Sequence, residues 1–186
     1  IGSGGKSSSL SYSCVSLSLA TSSITVANKA TIVWFRNDLR LLDNSALHEA
    51  IQREGPVVPV YIWSPEGYGD WAPGGASKWF LHRALESLQK DLRDKGGDLV
   101  VMQGEAEASL RKIIEKTGAS AVYWNRCYEA PIRERDAAIK KALREDGLEV
   151  ESFNSSLLNE PHTVSTGSDK PYKVYTPYWR KVKDRK

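Results

Sequence analysis

Cysteine and histidine are scarce in this sequence. Its 186 residues hold two cysteines, Cys14 and Cys127, and three scattered histidines, His48, His82 and His162. No C-x-x-C pair or Cys/His metal spacing exists, so neither a structural zinc site nor a disulfide framework is expected, and a reducing compartment fits best. Long apolar runs are missing too. The longest, Val57 to Trp63, contains Pro59 and is far too short to cross a bilayer, so no membrane span is expected. The dinucleotide fingerprint G-x-G-x-x-G does not follow the first apolar run, and there is no Walker lysine motif. Nothing sets a histidine beside a nucleophile, which leaves no basis for a hydrolytic triad.

Acid is absent from the start of the chain, where Asp38 is the first carboxylate. Residues 1–29 are serine-rich, with Lys6 and Lys29 as the only charges, and have too little apolar bulk to offset the entropy of ordering. They are expected to form a disordered leader. Such composition resembles an organelle transit peptide, a plastid one most of all. The expected location is the plastid if the leader acts so, and otherwise the cytoplasm or nucleus. The net charge of +3 is unevenly spread. Residues 170–186, KPYKVYTPYWRKVKDRK, carry seven Lys/Arg against one Asp, leaving 19 basic and 22 acidic residues over 1–169. The whole positive excess lies in that final segment, where it could face a phosphate backbone or simply be solvated.

What is present is a regular alternation from Thr31 onward. Apolar runs predict strands at Thr31–Phe35, Val57–Trp63, Asp98–Met102, Ala119–Trp124 and Leu148–Phe153. Helical spacing predicts helices at Asn44–Arg53, Ser77–Lys95, Ala106–Lys116 and Pro131–Asp146. The expected inward residues are Leu47, Ala50 and Ile51 in the first helix, and Phe80, Leu81, Ala84, Leu85, Leu88 and Leu92 in the second. Asp43 or Asn44 is placed to cap the first helix, and Pro131 suits the first turn of the fourth. Strands separated by helices imply right-handed crossovers. The fold class is therefore α/β: a doubly wound, five-stranded parallel sheet with helices on both faces, Rossmann-like, over residues 30–160. Ligands in such sheets sit beyond the carboxyl ends of strands, which singles out the loops Arg36–Asp43, Ser64–Gly75 and Asn125–Glu129. Within them, Gly74-Gly75-Ala76-Ser77 at a helix start could take an anion on free N–H groups. The alternating charges of Arg36, Asp38, Arg40 and Asp43 suit mutual pairing and helix capping, hence a loop brace. Trp34, Trp63, Trp79 and Trp124 are expected mainly as core filling, and Cys127 as a small, partly buried residue.

Three blocks carry more than pattern: VWFRNDLRLLDNSAL, VYWNRCYEAPIRERD and PYKVYTPYWR. In this order and spacing they resemble the amino-terminal α/β domain of the DNA photolyase and cryptochrome family, on the class I photolyase side, from about Thr31 to Arg180. The resemblance implies a parent protein in which this domain precedes an all-helical domain that binds FAD and docks on damaged DNA. Residues 161–186 would begin the connection to that domain. Light-driven electron transfer from reduced FAD would then split pyrimidine dimers, the reaction of a deoxyribodipyrimidine photo-lyase. No catalytic residue is expected in this stretch. The α/β domain's part in the family is to hold an antenna chromophore.

Folate-using relatives follow the Tyr-Glu of the fourth-strand loop with a polar pair, where this chain has Pro131 and Ile132. Deazaflavin-using relatives place a basic residue after the first strand and an acid in the fourth-strand loop, where this chain has Asn37 and Cys127. Folate, deazaflavin and flavin all stay open. The candidate chromophore residues are Asn37, Tyr61, Trp63, Lys78, Asn125, Arg126 and Glu129, with aromatics to stack on a planar ring and Lys78 to meet an anionic group. The expected partners are damaged DNA, through the full-length protein, and the FAD domain; a monomer is expected. The alternatives are the corresponding domain of a cryptochrome blue-light receptor and a stand-alone small-molecule-binding α/β domain.

Overall fold

Thr31–Phe35 (β1) is buried at all five positions, as a strand covered on both faces requires. The computed structural model describes residues 29–65, 72–154 and 156–183. The leader expected over 1–29 therefore lies, apart from Lys29, outside the described residues. Around β1 the chain lays down Ser45–Gln52 (α1), Val57–Trp63 (β2), Gly75–Arg93 (α2), Val100–Gln103 (β3), Ala106–Thr117 (α3), Ala121–Asn125 (β4), Ala130–Glu145 (α4), Glu149–Phe153 (β5) and Tyr175–Val182 (α5). The strands form one all-parallel sheet in the order β3-β2-β1-β4-β5, with Thr31 beside both Val57 and Ala121. This is the doubly wound α/β fold expected from the alternation.

Strand side chains alternate between two cores. Ile32, Trp34, Val60, Ile62, Val122 and Trp124 face Leu110 and Ile113 of α3 and Ile139 and Leu143 of α4. Val33, Phe35, Tyr61, Ala121 and Tyr123 face Ala46 and Ala50 of α1 and Leu88 and Leu92 of α2. Each fully buried large side chain, such as Phe35 or Leu110, contributes about 1.5–3 kcal/mol through area removed from water. Trp34 and Trp124 meet edge to face at 5.6 Å, in the core as expected.

Local signals fix the helix ends. Asn44, not Asp43, caps α1 by accepting from the Leu47 N–H at 3.0 Å. Asp43 instead takes a left-handed backbone (φ 51°) in the preceding turn. Glu105 caps α3 with bonds from the Glu107 and Ala108 N–H groups, and Gly118 (φ 63°) ends it.

Two expectations are corrected. Ile51 is 56 % exposed, because α1 seats its two alanines against β1 and β4 and so rotates Ile51 off the sheet. Phe80 and Trp79 are 71 % and 63 % exposed, although the spacing put Phe80 inward and the tryptophans mainly in the core. A helix of 19 residues runs roughly 28 Å, longer than the seven residues of β2 at roughly 23 Å. The first turns of α2 overshoot the sheet, and residues 75–80 are all exposed. Arg83 lies over the Trp79 ring at 5.6 Å. Besides these, α5 falls within the segment read as the start of a connection, where no element was assigned, since its inward face rests on Val182 and Tyr178 alone.

Candidate functional site

The strand order reverses between β1 and β4. From β1 the chain winds one way to β2 and β3, then returns to the other side of β1 for β4 and β5. The loops leaving β1 and β4 consequently part, which opens a crevice at their carboxyl ends. Its volume is about 500 Å³, walled by Asn37, Asp38 and Arg40 from the first loop and by Asn125 to Glu129 from the second, with Ser156 on the far rim. A small inner cavity of about 30 Å³ adjoins it through Asn37 and Cys127 and is lined further by Trp34, Arg36, Tyr61, Ser64 and Arg135.

The floor of the crevice is a buried polar network. Asn125, 2 % exposed, uses its whole amide. Nδ2 donates to Asp38 Oδ2 at 2.5 Å and to Asn44 Oδ1 at 2.8 Å, while Oδ1 accepts from the Ala46 N–H at 3.1 Å. One side chain thus ties the end of β4 to the β1 loop and to the start of α1. Asp38 also accepts from the Arg36 N–H at 2.9 Å and from Asn44 Nδ2 at 3.2 Å. Beneath lies Arg36, whose guanidinium donates to Asp136 of α4 and to the Asn125 main-chain oxygen. Arg36 sits 5.0 Å over the Trp34 ring, and Arg135 reaches the same ring at 5.3 Å while pairing with Asp136 at 2.8 Å. The charged run after β1 is therefore a brace, but mostly not one closed on itself. Only Arg40 and Asp43 pair locally, at 3.6 Å.

The candidate residues separate into groups. Asn37, Asn125, Arg126 and Glu129 all line the crevice. Asn37 is exposed, with Nδ2 at 3.9 Å from Cys127 Sγ, and Glu129 is exposed at the start of α4 with no capping bond from its carboxylate. Asn125 is consumed by the network above. Arg126 turns toward β5, donating to the Ser152 oxygens and to Glu160. Tyr61 is buried on the inner cavity, whereas Trp63 and Lys78 line neither space.

Residues left out of that candidate set complete the wall: Asp38, Arg40, Cys127, Tyr128 and Ser156. For Cys127 and Tyr128 the signal was available, since both stand in a loop marked by its place after the fourth strand. Burial pushes the Cys127 thiol above its ordinary range, with Glu129, Asp136 and Asp38 adding to the rise and Arg36 opposing it. The Tyr128 hydroxyl is pushed up to about 12, first by desolvation and then by its hydrogen bond to Glu160. At neutral pH neither group is ionised, so neither is poised as a nucleophile. Among the described residues, no group of three or more His, Cys, Asp or Glu could hold a metal ion.

A model of the DNA photolyase family matches residues 31–186. The chain belongs to the DNA photolyase family. It is 49 % identical over 150 residues to the deoxyribodipyrimidine photo-lyase of Agrobacterium fabrum, a match covering 80 % of this chain and 30 % of that one. It is also 40 % identical over 158 residues to Cryptochrome-2 of Arabidopsis thaliana, covering 84 % and 26 %. The crystal structure of a class III photolyase from Agrobacterium tumefaciens superposes with a TM-score of 0.80 at 45 % identity, over 88 % of this chain and 33 % of that one. The chain thus spans about a third of the length of these relatives, and it is the N-terminal α/β domain of the photolyase family. The sequence reading pointed to the class I side; the photolyase structure matched at 45 % identity is of class III. No helix among the described residues is long and apolar enough to cross a membrane.

Proposed function

We propose that the crevice between the β1 and β4 loops holds the antenna chromophore of a light-driven, FAD-dependent DNA photolyase that repairs pyrimidine dimers. The observation that carries this reading is the crevice itself: about 500 Å³ at the point where the strand order reverses, within the size range of small-molecule sites. The lining fits a polar heteroaromatic ligand with a hydrogen-bonding edge. Asn37 offers a donor and an acceptor, Glu129 an acceptor, and Arg40 a cation on the rim. Tyr128 supplies an aromatic wall held in place by Glu160 and Asn154. When bound, such a chromophore absorbs light and passes the excitation to FAD.

The chain's own residues supply position. Asn125 and Asp38 hold the two loops at a fixed separation, so the crevice is formed before a ligand arrives and less ordering entropy is lost on binding. Of the earlier candidates, Asn37 and Glu129 are the residues through which ligand specificity is expected to act; Trp63 and Lys78 stand outside the crevice. The protein would act as a monomer, with damaged DNA and the FAD-binding domain as partners in the full-length protein.

The test is direct titration. The purified chain is mixed in turn with methenyltetrahydrofolate, a deazaflavin and FMN, and each chromophore's absorbance and fluorescence anisotropy are followed. One of them is expected to bind, and Asn37→Ala together with Glu129→Ala is expected to weaken it at least tenfold without changing the far-ultraviolet circular dichroism. A chain that binds none of the three would overturn the reading. A second reading, the corresponding domain of a cryptochrome, is favoured by the 40 % identity to Cryptochrome-2. A dimer-repair assay under blue light on the full-length protein separates the two, because only a photolyase restores the pyrimidines.

A further inference from the structure

The small inner cavity beside the crevice gathers polar groups that the brace leaves unmet. Its lining comes from the ends of β1 and β2, the loop after β4 and the start of α4, and among those residues only Asn37 is exposed. This domain therefore builds the cavity from its own, mostly buried side chains. Two of them, Trp34 at 2 % exposed and Arg36 at 9 %, each keep a buried N–H without a hydrogen-bond partner, on Trp34 Nε1 and Arg36 Nε. The terminal nitrogens of Arg36 are taken by Asp136 and by the Asn125 main-chain oxygen, so Nε alone is left over. Among the described residues no other buried side-chain nitrogen or oxygen is orphaned, and both orphans belong to the lining of one cavity. Buried donors are seldom left unmet in a folded chain.

Charge points the same way. The cavity is lined by two cations, Arg36 and Arg135, and by no carboxylate. Both guanidiniums lie over the Trp34 ring, at 5.0 Å and 5.3 Å, and they share a single acid, Asp136, which is not on the lining. The other acids of this region, Asp38 and Glu129, line the crevice rather than the inner cavity. Asp38 accepts there from Asn125, Asn44 and the Arg36 main chain. Cys127 adds no charge, because burial keeps its thiol protonated at neutral pH. The Ser64 hydroxyl and the Asn37 amide, also on the lining, can each donate as well.

We propose that the inner cavity binds one small monovalent anion of chloride size. A species that only accepts meets both orphaned N–H groups and both guanidiniums at once, whereas a water must also place its two hydrogens on acceptors. Hydrogen bonds from cationic donors to an anion are the stronger kind, and the low dielectric of the interior strengthens them further. At about 30 Å³ the space takes a single water-sized group, so sulfate and phosphate are too large. The bound ion would close the inner end of the crevice, and its binding does not depend on a chromophore being there.

The experiment titrates the full 186-residue chain with sodium chloride at constant ionic strength, gluconate making up the balance, and follows the indole N–H signals of its six tryptophans by heteronuclear NMR. Sequential assignment identifies the Trp34 signal without a variant that could disturb the core. That signal should shift and saturate, with its midpoint on the order of millimolar chloride. Bromide should reproduce the shift, and sulfate at the same ionic strength should not. Arg135→Gln should weaken chloride binding about tenfold, from one lost cation. Arg133→Gln, the same loss of charge at an exposed site on α4, should leave it within twofold. Circular dichroism confirms that each variant is folded. The proposal is overturned by a Trp34 signal that chloride does not move, the outcome expected if water fills the cavity. It is overturned equally by the same shift with sulfate, which would report screening alone, by Arg135→Gln binding like the parent, or by an equal loss in Arg133→Gln.

Discussion

Asn125→Ala tests whether the crevice floor is a structural brace. The side chain is 2 % exposed and makes three hydrogen bonds: to the Asp38 carboxylate, to the Asn44 amide oxygen and from the Ala46 N–H. Truncation leaves the Ala46 N–H without a partner at the start of α1, a cost of about 1–3 kcal/mol for a buried orphan. Asp38 loses one neutral donor but keeps the Arg36 N–H and Asn44 Nδ2, and Asn44 Oδ1 keeps the Leu47 N–H, so those two losses cost about 0.5 kcal/mol each, the low end for an ordinary hydrogen bond. The sum is about 2–4 kcal/mol. In urea unfolding followed by circular dichroism, with m around 2 kcal/mol/M, the midpoint should fall by about 1–2 M while m stays constant. The main-chain oxygen of residue 125, which accepts from Arg36, is untouched, so the loss reports the side chain alone. A loss under about 1 kcal/mol would refute the argument.

Asn125→Asp sharpens the test. It keeps the shape but sets a new carboxylate where an amide donated to Asp38. Repulsion raises the new group's pKa in the folded chain above its unfolded value, so the folded state holds more protons as pH falls through that window. The variant's deficit relative to the parent should therefore be largest near pH 7 and shrink on acidification toward the ordinary carboxylate range. A deficit that does not change with pH would sink the electrostatic part of the reasoning.

Three further outcomes follow from the same geometry. Asp136→Ala should destabilise by about 3–5 kcal/mol, since it leaves the buried Arg36 guanidinium without its carboxylate; thermal unfolding reads this out, and a loss below about 1.5 kcal/mol counts against it. Tyr123 and Tyr128, both pushed up to about 12 by desolvation and by Glu149 and Glu160, should ionise well after exposed tyrosines in an ultraviolet difference titration. Because both folded values lie above the unfolded one near 10, their stabilisation is complete below pH 10 and is lost as pH rises toward 12. In a Cys14→Ser background, Cys127 should alkylate far more slowly at neutral pH in the folded chain than in urea, because burial disfavours its thiolate; equal rates would contradict the placement.

The fold is largely legible in the sequence, the site less so. The five strands and four of the five helices are legible because a parallel sheet covered on both faces writes its strands as short apolar runs and its crossovers as helical periods. Boundaries shifted by one or two residues at several ends, as with β4, expected at Ala119–Trp124 and found at Ala121–Asn125. What failed was inward-facing detail. Periodicity names the apolar stripe of a helix but not how far the helix extends past the sheet, so Phe80 was placed inside. Nor does it reveal that paired alanines bring a helix close enough to turn Ile51 outward.

The chain by itself determined the fold class, the family and a set of three loops that includes the two forming the crevice, because strand alternation and motif spacing are properties of neighbours along the polymer. Only the tertiary structure decided what those loops do. The charged residues directly after β1, RNDLRLLDN, suggest a cluster closed on itself. In the folded chain Arg36 reaches Asp136, 100 residues on, and Asp38 reaches Asn125, 87 residues on. Those partners meet because β4 returns to lie beside β1, a choice of strand order that no local pattern encodes. The same return sets Asn37 and Glu129 on facing walls with their side chains unused by the brace, so a scaffold and a candidate binding site come from one stretch of sequence.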